Sequence, residues 1–152
     1  MKTLNWIDKS RWVDGEWQRE PDRIEWVYLG FPCLITRQDI GFLCGYVGIP
    51  PTHPYYGKDI KDKELKEIPT DKGINFSEPS YQIDDPRAVC HQLLPKTDDY
   101  WWIGFDCCHS DDAFPRIIRF HNFSSDATYK NVEYVKTQVE FLARELSNVK
   151  SS

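Results

Sequence analysis

The sequence predicts an α+β fold: a mainly antiparallel β-sheet with a C-terminal amphipathic helix packed on one face. Three observations predict it. Strand-like segments come first and a helical segment last, an order that suits α+β rather than an alternating parallel sheet. The stretch GFPCLITRQDIGFLCGYVGIP reads as a β-hairpin. Finally, Val132, Val135, Val139, Leu142 and Leu146 recur at spacings of 3, 4, 3 and 4, which places them on one helical face.

Taken in order, residues 1–29 form a polar, Trp-rich N-terminal arm carrying Trp6, Trp12, Trp17 and Trp26. Such an arm is expected to lie over a core rather than to build one. Asp14-Gly15 offers a tight turn, and Ile24–Leu29 a short strand. Pro32 opens the hairpin. Cys33–Arg37 is its first strand, Gln38–Gly41 the turn and Phe42–Ile49 the second strand. Period-2 alternation puts Leu43, Val47 and Ile49 on one face and Phe42, Cys44, Tyr46 and Gly48 on the other. Gly45 and Gly48 weaken a strand and mark a bulge or a close approach by another element.

Pro50–Thr70 reads as a loop, with the charged run Asp59–Glu67 as a solvated stretch or a short helical turn. Gly73–Ser77 is a short strand and Glu78–Arg87 a polar loop. Ala88–Leu94 is read as a strand, because Pro86 and Pro95 leave little room for a helix. Tyr100–Cys107, full of aromatic residues, is the strongest strand signal in the chain. The helical region at 128–147 runs from Tyr129 to Leu146. Asp126 or Thr128 can cap its N-terminus, and Glu140 with Arg144 forms a favourable i,i+4 pair.

Composition narrows the function classes. The 152 residues are one domain's worth, so 1–152 is read as a single globular domain. With 6 Trp, 8 Tyr and 8 Phe the chain is far too aromatic for disorder. The net charge of −5 and the absence of a long Lys/Arg run argue against duplex nucleic acid as a partner. No stretch approaches the length of a membrane span, and the opening MKTLNWIDKS has no apolar leader core. Five cysteines without a framework spacing read as thiols in a reducing compartment, so the cytoplasm is the expected location.

Two segments carry most of the chemistry. In GYVGIPPTHPYYGK, three prolines stiffen the chain around His53, and Tyr55, Tyr56 and Lys58 follow. An aromatic face beside an ammonium group suits a nucleotide, whose base stacks and whose phosphate seeks a cation. A rigid Pro-rich connection with a capped histidine is the structural alternative. In WWIGFDCCHSDD, alternation puts Trp102, Gly104 and Asp106 on one face. The glycine leaves a shallow recess between a ring and a carboxylate, which could admit a flat ligand. Cys107, Cys108, His109, Asp111 and Asp112 follow at the strand end. The structural alternative is a polar turn whose Asp and Ser side chains satisfy backbone N–H groups.

Cys90-His91 and Cys107-Cys108-His109, with His53, supply thiols and imidazoles, but their spacing does not suit structural zinc, which favours C-x₂₋₄-C pairs. Asp106, Asp111 and Asp112 offer the oxygen ligands that a magnesium site would use instead. Neither a metal nor another cofactor is expected. A thiolate pair of Cys107 or Cys108 with His109 or His91 is conceivable, against the commoner role of buried cysteine as a small hydrophobe. No G-x-S-x-G, H-E-x-x-H, Walker or G-x-G-x-x-G motif occurs, which argues against the familiar hydrolase, kinase and dinucleotide scaffolds. In DKGINFS, Asn75 and Ser77 share one strand face.

Together, EPDRIEW, PCLITR, LCGYVGIPPTHPYYGK, GINFS, the Cys90-His91 pair, WWIGFDCCHSDD and YKNVEYVKTQVEFLARELS resemble a family of small uncharacterised proteins of bacteria, phages and mobile elements. The resemblance covers most of the chain in a fixed order. It matches the family pattern at Asp106, Cys107, His109 and Asp112. Cys108 stands where a small residue is usual, and Lys72-Gly73 stands where the family has a His-Gly-Gly turn. The resemblance therefore favours Asp106, His109 and Asp112 over Cys108. It also implies a phage setting in a bacterial host cytosol, where small acidic proteins often counter host defence, for example by sequestering a nucleotide signal.

Three functions are thus expected to compete. The first is a small-molecule binding protein that captures a nucleotide-like ligand. Tyr46, His53, Tyr56, Lys58, Asn75, Trp102, Asp106 and His109 would line its site: Tyr56 and Trp102 stack the base, Lys58 meets phosphate, and Asn75, Asp106 and His109 read polar edges. The alternative is a hydrolase of a similar molecule, with His53 or His109 as general base and Asp106 or Asp112 orienting it. The third is an interaction module whose Trp-rich arm meets a host protein or a second copy, giving a homodimer.

Overall fold

The computed structural model describes residues 1–70, 72–80, 85–90, 99–109, 111–115 and 128–150. They form an antiparallel sheet with one long C-terminal helix against it, the α+β arrangement expected. The strands are β1 (Lys2–Leu4), β2 (Arg23–Tyr28), β3 (Phe31–Arg37), β4 (Leu43–Ile49), β5 (Phe76–Pro79) and β6 (Trp101–Asp106). Among the described residues they lie in the order β1-β2-β3-β4-β6-β5. A short helix, α1 (Lys63–Lys66), precedes β5. A parallel pair, β7 (Asp112–Ala113) and β8 (Thr128–Tyr129), leads into α2 (Val132–Ser147). No helix among the described residues is long and apolar enough to cross a membrane.

The hairpin forms where its pattern predicts, but its second strand starts at Leu43 rather than Phe42, and Arg37 lies opposite Leu43, one residue beyond the pairing that a Gln38–Gly41 turn implies. Leu43, Val47 and Ile49 face the helix and join a core with Val135, Val139, Leu142 and Leu146. Gly45 marks the close approach that its position suggested: a Cβ there would come within 2.6 Å of the Val139 side chain. The helix can therefore lie close to β4 only because residue 45 has no side chain. Two further contacts tie the helix to β2. The Trp26 indole donates to Glu140 at 3.1 Å, and Arg144 donates to the Tyr28 hydroxyl at 3.1 Å. Both helix residues thus turn to the sheet rather than to each other as the i,i+4 spacing suggested.

Several local expectations are corrected. The N-terminal arm is part of the sheet, since Lys2–Leu4 pairs with β2 as an edge strand. Asp22 explains the anchoring: its buried carboxylate accepts from the Trp6 and Ile7 amides, both at 3.0 Å. The strand expected at Gly73–Ser77 lies at Phe76–Pro79, and its proline is tolerated because β5 is an edge. Ala88–Cys90 is not a strand; of the strand expected at Ala88–Leu94, residues 91–94 lie outside the described residues. Instead Asp85–Cys90 crosses the second face of the sheet. Arg23 holds it there by donating to the carbonyls of Pro86, Ala88 and Cys90 at 3.1, 2.6 and 2.8 Å.

The helix begins at Val132, not Tyr129, and its cap is Asn131, whose side chain accepts from the Tyr134 amide at 2.8 Å. Thr128 pairs in β8 instead, and Asp126 lies outside the described residues. Tyr129 is used by a buried polar network. Its hydroxyl accepts from Arg37 at 2.7 Å and donates to Glu20, while Arg37 also donates to Asp22 at 2.9 Å. Glu20 accepts from the Val132 amide at 2.7 Å, so one carboxylate serves both this network and the first turn of the helix.

Candidate functional site

The expected site does not assemble as one. Antiparallel pairing sets Ile49 opposite Trp101 and Cys44 opposite Asp106. The loop that leaves the end of β4 therefore meets the start of β6, whereas the turn after Asp106 lies at the other end of the sheet. The two ends of β6 are roughly 17 Å apart at about 3.3 Å per residue.

At the first end, the side chains of GYVGIPPTHPYYGK are engaged in structure. His53 Nδ1 accepts from the Tyr55 amide at 2.9 Å, so the proton resides on Nε2, which donates to the Leu146 carbonyl at 2.8 Å. Both ring nitrogens are used, one of them to cap the C-terminus of α2, which corrects the expectation of a base there. Tyr56 is half-buried and tilted against Trp101 with ring centres 5.7 Å apart. Lys58 pairs with Asp62 at 3.4 Å and lies 5.5 Å from the Tyr55 ring centre. Its carbonyl accepts from Ser77 Oγ at 2.5 Å, and that oxygen in turn accepts from the Trp101 indole at 2.7 Å.

The stacking role expected of Trp102 is also corrected. Trp102 is 0% exposed and Tyr46 is 6% exposed. Together with Leu34 and Cys44 they form a second core on the sheet face opposite the helix. Gly104 leaves no recess for a flat ligand, because a Cβ there would overlap the ring of Tyr46, its cross-strand partner. Alternation correctly put these residues on one face, but it carried no information on what covers that face. Asn75 is exposed, and its amide donates to the Gly104 carbonyl at 3.0 Å.

Asp106, His109 and Asp112 do come together. Asp106 accepts from the Cys108 amide at 3.2 Å, which starts the turn. Asp112, with a side chain only 1% exposed, closes it by accepting from both the His109 amide at 3.0 Å and His109 Nδ1 at 3.1 Å. An ionised carboxylate can only accept, so Nδ1 carries a proton, and in the neutral ring the lone pair is the one on Nε2. Nε2 is 3.9 Å from Asp106, beyond hydrogen-bond reach, on a ring that is about one-third exposed.

Two lysines complete the corner. Lys130 reaches Asp112 at 2.9 Å and Thr128 Oγ1 at 2.7 Å. Lys72 pairs with Asp111 at 3.0 Å, and this hydrogen bond holds the Asp111 carboxyl below its ordinary value. The Lys72 backbone is left-handed at φ 62°, a conformation that costs a non-glycine residue roughly 1–2 kcal/mol. The sequence reads Lys72 as part of a turn into a strand and not as a site residue. Lys130 gave no signal, because only the pairing of β7 with β8 brings it to Asp112.

Cysteine chemistry finds little support. Partial desolvation, with the Asp106 and Asp112 carboxylates, pushes the Cys108 thiol up, which disfavours the thiolate. Cys107 is buried, and burial pushes Cys33 and Cys44 up to about 12. His91 lies outside the described residues. Among the described residues no three His, Cys, Asp or Glu side chains form a group that could hold a metal ion. Compared with known proteins, the chain matches no family model, and no curated protein or solved structure is significantly similar to it.

Proposed function

We propose that the protein acts on a small polar molecule at the Asp106–His109–Asp112 corner, with His109 as general acid–base and Asp112 as the group that fixes its tautomer. One observation carries this reading: a buried carboxylate holds His109 Nδ1 at 3.1 Å, while Nε2, on a ring about one-third exposed, makes no hydrogen bond among the described residues. In a hydrolysis, Nε2 takes a proton from water as the water oxygen attacks a carbonyl or phosphoryl centre. Asp112 then stabilises the imidazolium, and Nε2 returns the proton to the leaving group.

A second reading is capture of a nucleotide-like ligand without turnover. It is favoured by the two ammonium groups at this corner, Lys72 and Lys130, and in particular by Lys72, which is 41% exposed and could exchange Asp111 for a phosphate. The test incubates a panel of cyclic and linear nucleotides in excess with the protein and follows them by chromatography. Multiple turnovers lost in His109→Ala support the acid–base reading. Stoichiometric, reversible depletion weakened by Lys72→Ala supports capture. Neither result for any compound moves the weight to an interaction module.

A further inference from the structure

The second face of the sheet carries a cavity separate from the His109 corner. Two of its lining residues, Phe76 and Val89, pack against the buried layer of Leu34, Cys44, Tyr46 and Trp102. Its roof is the segment Asp85–Cys90, which Arg23 fixes through three carbonyls while its own charge is met by Glu25 at 3.2 Å. Arg23 and Glu25 are 9% and 2% exposed, so the roof is anchored from inside the protein rather than resting on the surface. Between this roof and the edge strand β5 lies a space of about 530 Å³, lined by Phe76, Glu78, Pro79, Ala88 and Val89 together with Asp85 and Arg87. That volume falls within the range of small-molecule sites.

We infer that this cavity binds a small aromatic amine, a two- or three-ring planar body bearing a cationic nitrogen. The walls select the body, since Phe76, Pro79, Ala88 and Val89 present apolar surface to it. The mouth selects the charge. Arg87 is committed to Asp85 at 2.7 and 3.0 Å and to Asp39 at 2.9 Å, so its charge is already met. Glu78 is exposed, and no ion pair or hydrogen bond engages its carboxylate among the described residues. Among the described lining residues the charge left unmet is therefore negative, which attracts an ammonium and repels a phosphate or carboxylate. The site does not depend on His109 and stands or falls separately from the acid–base reading.

Isothermal titration with tryptamine, indole and indole-3-acetate tests it directly. Tryptamine is expected to bind about tenfold or more tightly than indole, the scale of one charged contact, and indole-3-acetate most weakly. Glu78→Gln, at an exposed position, should bring tryptamine to the level of indole and leave indole unchanged. Val89→Trp should fill the space and abolish binding of both, with circular dichroism to check the fold. No tryptamine binding at low millimolar concentration, equal affinity for the three probes, or tryptamine binding unchanged in Glu78→Gln would overturn the inference. Binding that survives a folded Val89→Trp would overturn it as well.

Discussion

The two ends of β6 each present a histidine after a strand, and they differ in what remains of the ring. At the Trp101 end, His53 spends Nδ1 on the Tyr55 amide and Nε2 on the Leu146 carbonyl. At the Asp106 end, His109 spends only Nδ1, on a buried carboxylate. The His53 ring is thus a helix cap with both nitrogens bonded, whereas the His109 ring, about one-third exposed, has one nitrogen with no hydrogen bond among the described residues. The lesson is that a candidate base is recognised by the valence it has left over. Residue type and proximity to polar groups do not distinguish these two.

The comparison rests on a scaffold that can be broken first. The His109 corner hangs on β8 and the start of α2, which the Arg37, Asp22, Glu20 and Tyr129 network secures. Asp22→Ala leaves the fully buried Arg37 charge without its closest carboxylate and should cost about 3–5 kcal/mol in urea unfolding. A cost below about 1 kcal/mol would show that the network is not what secures that end.

The same group gives a pH signature. Burial alone would raise the Asp22 carboxyl, but the hydrogen bond from Lys9, the Ile7 and Trp6 amides and the Lys9 charge together lower it. A carboxyl lowered in the folded state stabilises above its unfolded value of about 3.9, and that contribution is lost as pH falls through the folded value. Unfolding midpoints should therefore drop on acidification below about pH 4, and the gap between wild type and Asp22→Asn should narrow there. A gap constant down to about pH 2 would contradict the assignment.

Next in size is the helix that His53 caps. Leu142 is 0% exposed between helix and sheet, so Leu142→Ala should cost about 2–5 kcal/mol. A loss under about 0.5 kcal/mol would mean the helix does not depend on that packing. The two histidines then separate cleanly. His53→Ala removes two hydrogen bonds, including the side-chain one to the Leu146 carbonyl, an expected cost of about 1–2 kcal/mol with little effect on any turnover. His109→Ala takes a charge-assisted hydrogen bond from the buried Asp112 carboxylate, so it should cost about 1–2 kcal/mol as well, but it should also reduce turnover by about a hundredfold or more. If His53→Ala abolished turnover and His109→Ala did not, the contrast between the two ends would be reversed.

What was legible in the sequence was what short-range geometry controls. The stripe from Val132 to Leu146 is a property of one helix, so its period alone identified the face that packs on Leu43, Val47 and Ile49. Asp106, His109 and Asp112 were legible as a group for the same reason, because three-residue steps inside one turn bring side chains together whatever the rest of the chain does. The hairpin itself was legible from its two alternating runs, but its register was not: the expected turn Gln38–Gly41 would set Arg37 opposite Phe42, whereas Gln38 bonds to Phe42 and Arg37 pairs with Leu43. Tertiary structure decided everything that depended on which strands are neighbours. The antiparallel placement of β6 against β4 separated His53 and Lys58 from His109, and the Arg23-anchored segment buried the face of Trp102 and Tyr46. The β7–β8 pairing delivered Lys130 to Asp112. Periodicity reports which way a side chain points, but contacts between distant segments depend on packing that no local pattern encodes.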